Sequence, residues 1–345
     1  MSEKTPQLDF NPKHVTKRLL AVLSPRARDV ITGRFGLGNE TKKMTLESIG
    51  TKYGITRERV RQIENNSVHN IRKSKEYAKE KKTFDDLRTY VVSLGGVMSE
   101  HDLLSHISKD KSTQNHAHFL LEIGEEFKRE KEDEEFKHRW HIDHKLASKI
   151  HEVLRKIYSD LSPNDIIPEA EIISSFLDYV KDISEEYKNE EVIRRWLSMS
   201  KSIGKNPLGE WGKTESPNIN AKGMRDYAFL VIRKHGSPIH FREVAKLITE
   251  VFNKKAHVAT THNELIKDKR FVLVGRGLYA LSEWGYMSGV VKDVIKKILE
   301  KEGPLPKDKI IEKVLKERYV KPNTILVNLQ NPKHFKKDKQ GRYYV

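Results

Sequence analysis

The chain contains no cysteine. That excludes disulfides, thiol catalysis and cysteine-ligated zinc. No apolar run approaches 18 residues, so no membrane-spanning helix is expected. The opening stretch MSEKTPQLDFNPKHV also lacks the apolar core of a signal peptide. A cytoplasmic location is the expectation that follows. The phosphate-binding lysine of a P-loop is missing too. GRFGLG and GRGLYAL are glycine-rich, but neither completes a nucleotide fingerprint. They read as a helix exit and the turn of a hairpin. No nucleophile with an oriented base is visible, and the acids of EKEDEE (Glu130 to Glu135) read as a solvated loop. Fifteen histidines are present, with His116, His118, His138, His141 and His144 close in sequence. Their spacings match no standard zinc motif. The expectation is therefore no enzyme, no metal, no cofactor and no small-molecule substrate.

What the chain has in excess is positive charge. Its 345 residues hold 65 Lys and Arg against 49 Asp and Glu, a formal +16. Such an excess favours a polyanion, either nucleic acid or an anionic membrane surface. Without an apolar segment, nucleic acid leads. The charge is uneven. Residues 1–83 hold 19 basic and 9 acidic side chains, residues 84–285 hold 31 and 33, and residues 286–345 hold 15 and 7. Two basic ends flank a neutral centre, as two polyanion contacts or one long one would require.

The first basic end has a definite pattern. In LESIGTKYGI, Leu46, Ile49, Tyr53 and Ile55 form an apolar helical face, and Gly54 supplies a sharp turn. Thr56 is suited to cap the next helix. In TRERVRQIENNSVHNIRK, Val60, Ile63, Ser67 and Ile71 recur at helical spacing and face inward. Arg57, Arg61 and Asn65 form an outward row, with Glu58 and Gln62 beside it. Two short helices around a glycine turn make a helix-turn-helix, whose second helix enters the major groove by its N-terminal residues. Arginine suits guanine, glutamine adenine and glutamate the cytosine amino group.

This stretch resembles region 4 of bacterial primary-type sigma factors, carried by LESIGTKYGITRERVRQIENNSVHNIRK and by the upstream LLAVLSPRARDVITGRFGLG. The resemblance covers about residues 15–75. It implies base contacts to a promoter −35 element by Arg57, Glu58 and Gln62, and backbone contacts by Thr56, Arg59 and Arg61. It also implies docking on the β flap of RNA polymerase core by the upstream helices, here Leu19, Leu23, Val30, Arg34 and Phe35. Asn66 stands where the family carries a lysine, which alters base preference. The aromatic-rich element that captures a melted strand is not expected in this chain.

After residue 83 a pattern recurs four times: helix, Gly or Pro turn, two helices, then a hairpin ending in an aromatic strand. The endings are EEFKHRWHI, SIGKNPLGEWG, RFVLVGRGLYALSEWG and HFKKDKQGRYYV. The expected fold is mainly α with small β-hairpin wings, a sigma region 4 helix-turn-helix followed by tandem winged helices. The expected modules are residues 1–83, 84–142, 143–218, 219–285 and 286–345, the third of these the least regular. The fourth, near residues 222–285, resembles the HARE-type winged helix of the RNA polymerase delta subunit. In the last, Lys313, Lys316, Arg318 and Lys321 crowd a helix and Lys333, Lys336, Lys337 and Lys339 a wing. Lys313, Lys316, Lys336 and Lys337 are expected on DNA phosphates. The functional expectation is a nucleoid-associated bacterial transcription factor that binds double-stranded promoter DNA and RNA polymerase. The alternatives are an architectural or defence-associated DNA binder independent of polymerase, and a scaffold competing with sigma factors.

Overall fold

A computed structural model describes residues 8–345. The first seven residues of the expected N-terminal module lie outside the described residues. The chain forms two compact units. The first runs to Gly204 and includes Trp211–Thr214; the second comprises Lys205–Glu210 and Glu215–Val345. Among the described residues there are seventeen α-helices and ten strands of two to four residues. The mainly helical class with small antiparallel hairpins is therefore observed.

The first unit opens with α1 (Pro12–Leu20) and α2 (Pro25–Phe35). Both start as their sequences dictate. Asn11 and Ser24 cap the helices, each followed by a proline whose missing N–H costs nothing at the first helical position. Next come α3 (Leu46–Tyr53) and α4 (Arg57–Arg72). Then follow α5 (Lys75–Lys79), α6 (Lys81–Ser93), β1 (Val97–Ser99), α7 (Glu100–Ile107), α8 (Lys111–Ile123), β2 (Lys128–Glu130) and β3 (Arg139–His141). The three strands form an antiparallel sheet in the order β1-β3-β2. A second set comprises α9 (His144–Asp160), α10 (Glu169–Tyr179), α11 (Glu190–Met199), β4 (Ile203–Lys205) and β5 (Trp211–Lys213).

The second unit repeats the scheme twice. Its first set is α12 (Met224–His235), β6 (Ile239–His240), α13 (Phe241–Phe252), α14 (Val258–Lys267), β7 (Phe271–Leu273) and β8 (Leu278–Leu281), with strand order β6-β8-β7. Its second is α15 (Val291–Glu302), α16 (Lys307–Glu317), α17 (Pro322–Leu329), β9 (Lys336–Lys337) and β10 (Tyr343–Tyr344).

In all four sets an extended segment after the first helix pairs with the last strand of the hairpin. The pairs are Val97 with His141, Ile167 with Trp211, Ile239 with Tyr279 and Leu305 with Tyr343. The second and fourth reduce to a single bridge for a local reason. Ile167 and Leu305 each precede a proline, Pro168 and Pro306. Proline pushes the residue before it into extended backbone, yet has no N–H to continue a ladder.

The cores do not follow the expected boundaries. Val15, Leu19, Leu23, Ile31 and Phe35 share one apolar core with Leu87, Leu103, Phe119, Leu120 and Trp140. Residue 83 thus separates no two cores. Val97 and Phe136 belong to the core of the following set, with Ile150, Phe176, Trp196 and Trp211. The last set keeps a core of its own, built on Val294, Ile298, Ile310, Val314, Ile325 and Phe335. One basic residue of that set departs from expectation. Arg318 is buried, donating to the carbonyls of Met287 and Gly289. It holds a chain turn and offers nothing to a polyanion.

Candidate nucleic-acid interface

The junction of α3 and α4 rests on two glycines and a threonine. Gly54 ends α3 with φ of +62°, a left-handed conformation that glycine adopts without strain. Gly50 allows close approach. A Cβ there would lie 2.6 Å from the carbonyl oxygen of Ile55, whose N–H donates to the Gly50 carbonyl at 2.9 Å. In the sequence Gly50 is marked only as a glycine inside a short helix, which signals a packing demand. Thr56 then stands in extended backbone, and its Oγ1 accepts from the Arg59 N–H at 3.2 Å. The three helices close over a small core of Val30, Ile49 and Val60.

This packing sets which face of α4 is open. Val60, Ser67 and Ile71 are buried. Arg57, Glu58, Arg59, Arg61, Gln62, Asn65 and Asn66 are exposed. Arg61 holds Glu58 through two hydrogen bonds of 2.9 and 2.6 Å, and this contact lowers the Glu58 pKa. Glu58 is thus presented as a carboxylate, an acceptor suited to a cytosine amino group. Arg59 donates to the Gln62 side-chain oxygen at 3.1 Å, which orients the amide. Arg57 has no carboxylate within ion-pair distance among the described residues. An open groove lined by Glu47, Gly50, Thr51, Thr56, Arg57 and Arg59 runs beside the N-terminus of α4. There the helix dipole favours an anion such as a DNA phosphate. The residues of the helix-turn-helix expected on bases and on the backbone therefore share one exposed end of one helix.

The other end of α4 is anchored. Ile71 enters the large core, and Arg72 donates to the carbonyls of Glu122 and Ile123 at the end of α8, both at 3.0 Å. Arg34 bonds Glu64 at 3.2 Å and the Met44 carbonyl at 3.3 Å. The exposed half of α4 is thereby cantilevered from a fixed base.

The residues expected to dock on polymerase sit mostly inside the fold. Leu19, Leu23, Val30 and Phe35 are buried. α8 lies across α1 and α2: Phe119 meets the Phe35 ring edge-on at 5.1 Å, and His118 tilts against it at 5.8 Å. Asn115 on α8 donates to the Gly36 and Thr41 carbonyls at 3.0 and 2.8 Å. Arg34, the fifth residue of the set, is engaged by Glu64. An apolar face that the chain covers with its own helix is not a free docking surface. Nothing in the local sequence marks Asn115 for this task.

In the last set, Lys316 is exposed and bonds Glu312 at 3.2 Å, while Lys313 bonds Glu302 at 2.9 Å. Lys336 and Lys337 are exposed on β9, and the Lys337 ammonium lies 5.6 Å from the Tyr343 ring centre. The hairpin lysines are the more available cations, since the helix lysines have carboxylate partners.

The geometry around α4 defines a helix-turn-helix of the DNA-binding class. Residues 19–73 match the family "Sigma-70, region 4". Relatives include the RNA polymerase sigma factor SigA1 of Synechococcus elongatus, 48% identical over 54 residues that make up 16% of this chain and 13% of that protein. The sigma factor RpoS of Coxiella burnetii is 48% identical over 56 residues, 16% of each chain. The chloroplastic sigma factor sigF of Arabidopsis thaliana is 40% identical over 58 residues, 17% of this chain and 10% of that protein. The chain thus matches about a sixth or less of these relatives' length, and the match ends at the base of α4. No helix among the described residues is long and apolar enough to cross a membrane.

Proposed function

We propose that this protein is a transcription regulator that anchors on −35-type promoter DNA through α4 and acts together with RNA polymerase. The observation that carries the reading is the exposed N-terminal half of α4, held on a fixed base within the sigma-like segment. Arg57, Glu58 and Gln62 read base edges; Thr56, Arg59 and Arg61 hold phosphates, Arg61 after releasing Glu58. The four helix-and-hairpin sets act as winged helices, the third of them HARE-like. The last extends the footprint through Lys336 and Lys337, with Lys313 and Lys316 behind them. The protein works by binding, without catalysis or a cofactor.

Footprinting on promoter DNA tests this. Arg57→Ala and Gln62→Ala should each cost about 1–3 kcal/mol of discrimination at one base pair. Lys336→Ala should weaken all sequences alike and lower the salt slope by about one. Unchanged protection with both α4 variants would sink the base-reading proposal.

The burial of Leu19, Leu23, Val30 and Phe35 favours a second reading, a DNA-binding protein that never meets polymerase. Co-purification with polymerase core separates the two. Its absence from cells expressing the intact chain supports the second.

A further inference from the structure

We propose that Glu130, His141 and His144 form a binding site for a divalent transition-metal ion of the zinc class, clamping the first hairpin to the start of α9. Glu130 ends β2 and His141 ends β3. Glu130 pairs in register with Arg139, so His141 lies diagonally opposite on the same face of the sheet. The chain then turns through Asp143, whose carboxylate accepts from the N–H groups of Lys145 and Leu146 and starts α9. That turn brings His144, the first residue of α9, back against His141, with ring centres 5.8 Å apart. One ligand atom from each of the three residues lies within 4.8 Å of the other two. A tetrahedral ion with bonds of about 2.1 Å spaces its ligands by about 3.4 Å. The exposed His144 closes that difference by a small rotation.

Two further features point to a ligand. The His141 side chain is only 5% exposed, and its Nδ1 has no hydrogen-bond partner. A buried polar atom without a partner is costly and calls for an explanation. Glu130 is also prearranged. Arg139 holds its Oε2 at 2.5 Å, leaving Oε1 3.3 Å from Nε2 of the His141 ring, the nitrogen other than the unpartnered Nδ1. Outer partners of this kind orient metal-ligating carboxylates. The charge of Arg139 is not left to oppose a cation, because Asp133 shares its guanidinium at 3.1 Å. Two imidazoles and one carboxylate select zinc-like ions over calcium or magnesium, which prefer oxygen donors. Water completes the coordination on the solvent side.

The test is titration of the chelator-stripped full chain with zinc sulfate, read by calorimetry and by the thermal unfolding midpoint. Cobalt(II) absorption reports the coordination. The expected result is one ion per chain, a raised midpoint and no response to magnesium. His144→Ala should weaken zinc binding by about tenfold or more while leaving the metal-free midpoint unchanged, because His144 is exposed. Glu130→Gln should weaken binding similarly, and His69→Ala on the exposed face of α4 should not. Absence of stoichiometric binding overturns the site. So does binding that is unchanged in His144→Ala, which would mark scattered surface histidines only.

Discussion

Within residues 19–73, α3 and α4 present a polar face to solvent, while α2 and the end of α1 turn an apolar face into a core completed by α8. One family match therefore contains two kinds of surface. The open part is stabilised locally, by Gly54, the Thr56 cap and a three-residue core. The covered part depends on residues 74 to 84 positions further along the chain, chiefly Asn115, His118 and Phe119. A motif match describes a segment, whereas availability is a property of everything packed on it. The polar face of α4 stays open because burying its guanidiniums without partners would cost far more than any contact returned.

The largest expected effect comes from breaking the cover. Phe119 is fully buried, and Phe119→Ala should lower unfolding free energy by about 3–5 kcal/mol. Hydrogen exchange should rise in α1, α2 and α8 more than in α3. Equal protection throughout would show that the two parts are not distinct.

Gly50→Val strikes the open part. A side chain cannot share space with the Ile55 carbonyl at 2.6 Å, so α3 and α4 must separate. DNA affinity should fall at least tenfold, about 1.4 kcal/mol, with the core around Phe119 retained by near-ultraviolet circular dichroism. Loss of both signals together would contradict the comparison.

The next effect is acid sensitivity of the covered part. Burial holds the His118 pKa below its ordinary value, with Glu100 at 3.3 Å opposing the shift and Lys43 and Arg129 reinforcing it. A lowered folded pKa means that the unfolded chain takes the proton first. The contribution is present above about pH 6.5 and is lost as pH falls through that value toward the folded one. Denaturation above and below the histidine range should show this loss, and His118→Gln should reduce it, with buried His116 on the same helix contributing in the same direction.

The smallest effect sharpens the comparison from the open side. Thr56→Ala removes the cap on the Arg59 N–H and should cost about 1 kcal/mol. The loss should appear as fraying of the first turn of α4 by exchange, with weaker DNA binding and no change around Phe119.

Much of this architecture was legible in the residues themselves. Ser24-Pro25, Gly54 and Thr56 mark helix ends through local hydrogen bonds and backbone freedom, which need no distant partner. The inward row of Val60, Ser67 and Ile71 and the outward row of Arg57, Arg61 and Asn65 follow from helical period alone.

Tertiary structure alone decided the rest. The apolar character of Leu19, Leu23 and Phe35 required burial without naming the partner, since the hydrophobic effect is non-directional; α8 became that partner, whereas Val30 was covered by α3 and α4. Arg318 looked like its lysine neighbours until the carbonyls of Met287 and Gly289 were brought around it. Glu130 and His141, eleven positions apart, became neighbours only through the register of β2 on β3. Local rules act through bonds to near neighbours and are written in the chain. Which surfaces stay open, and which donors converge, depends on contacts between residues the chain itself keeps apart.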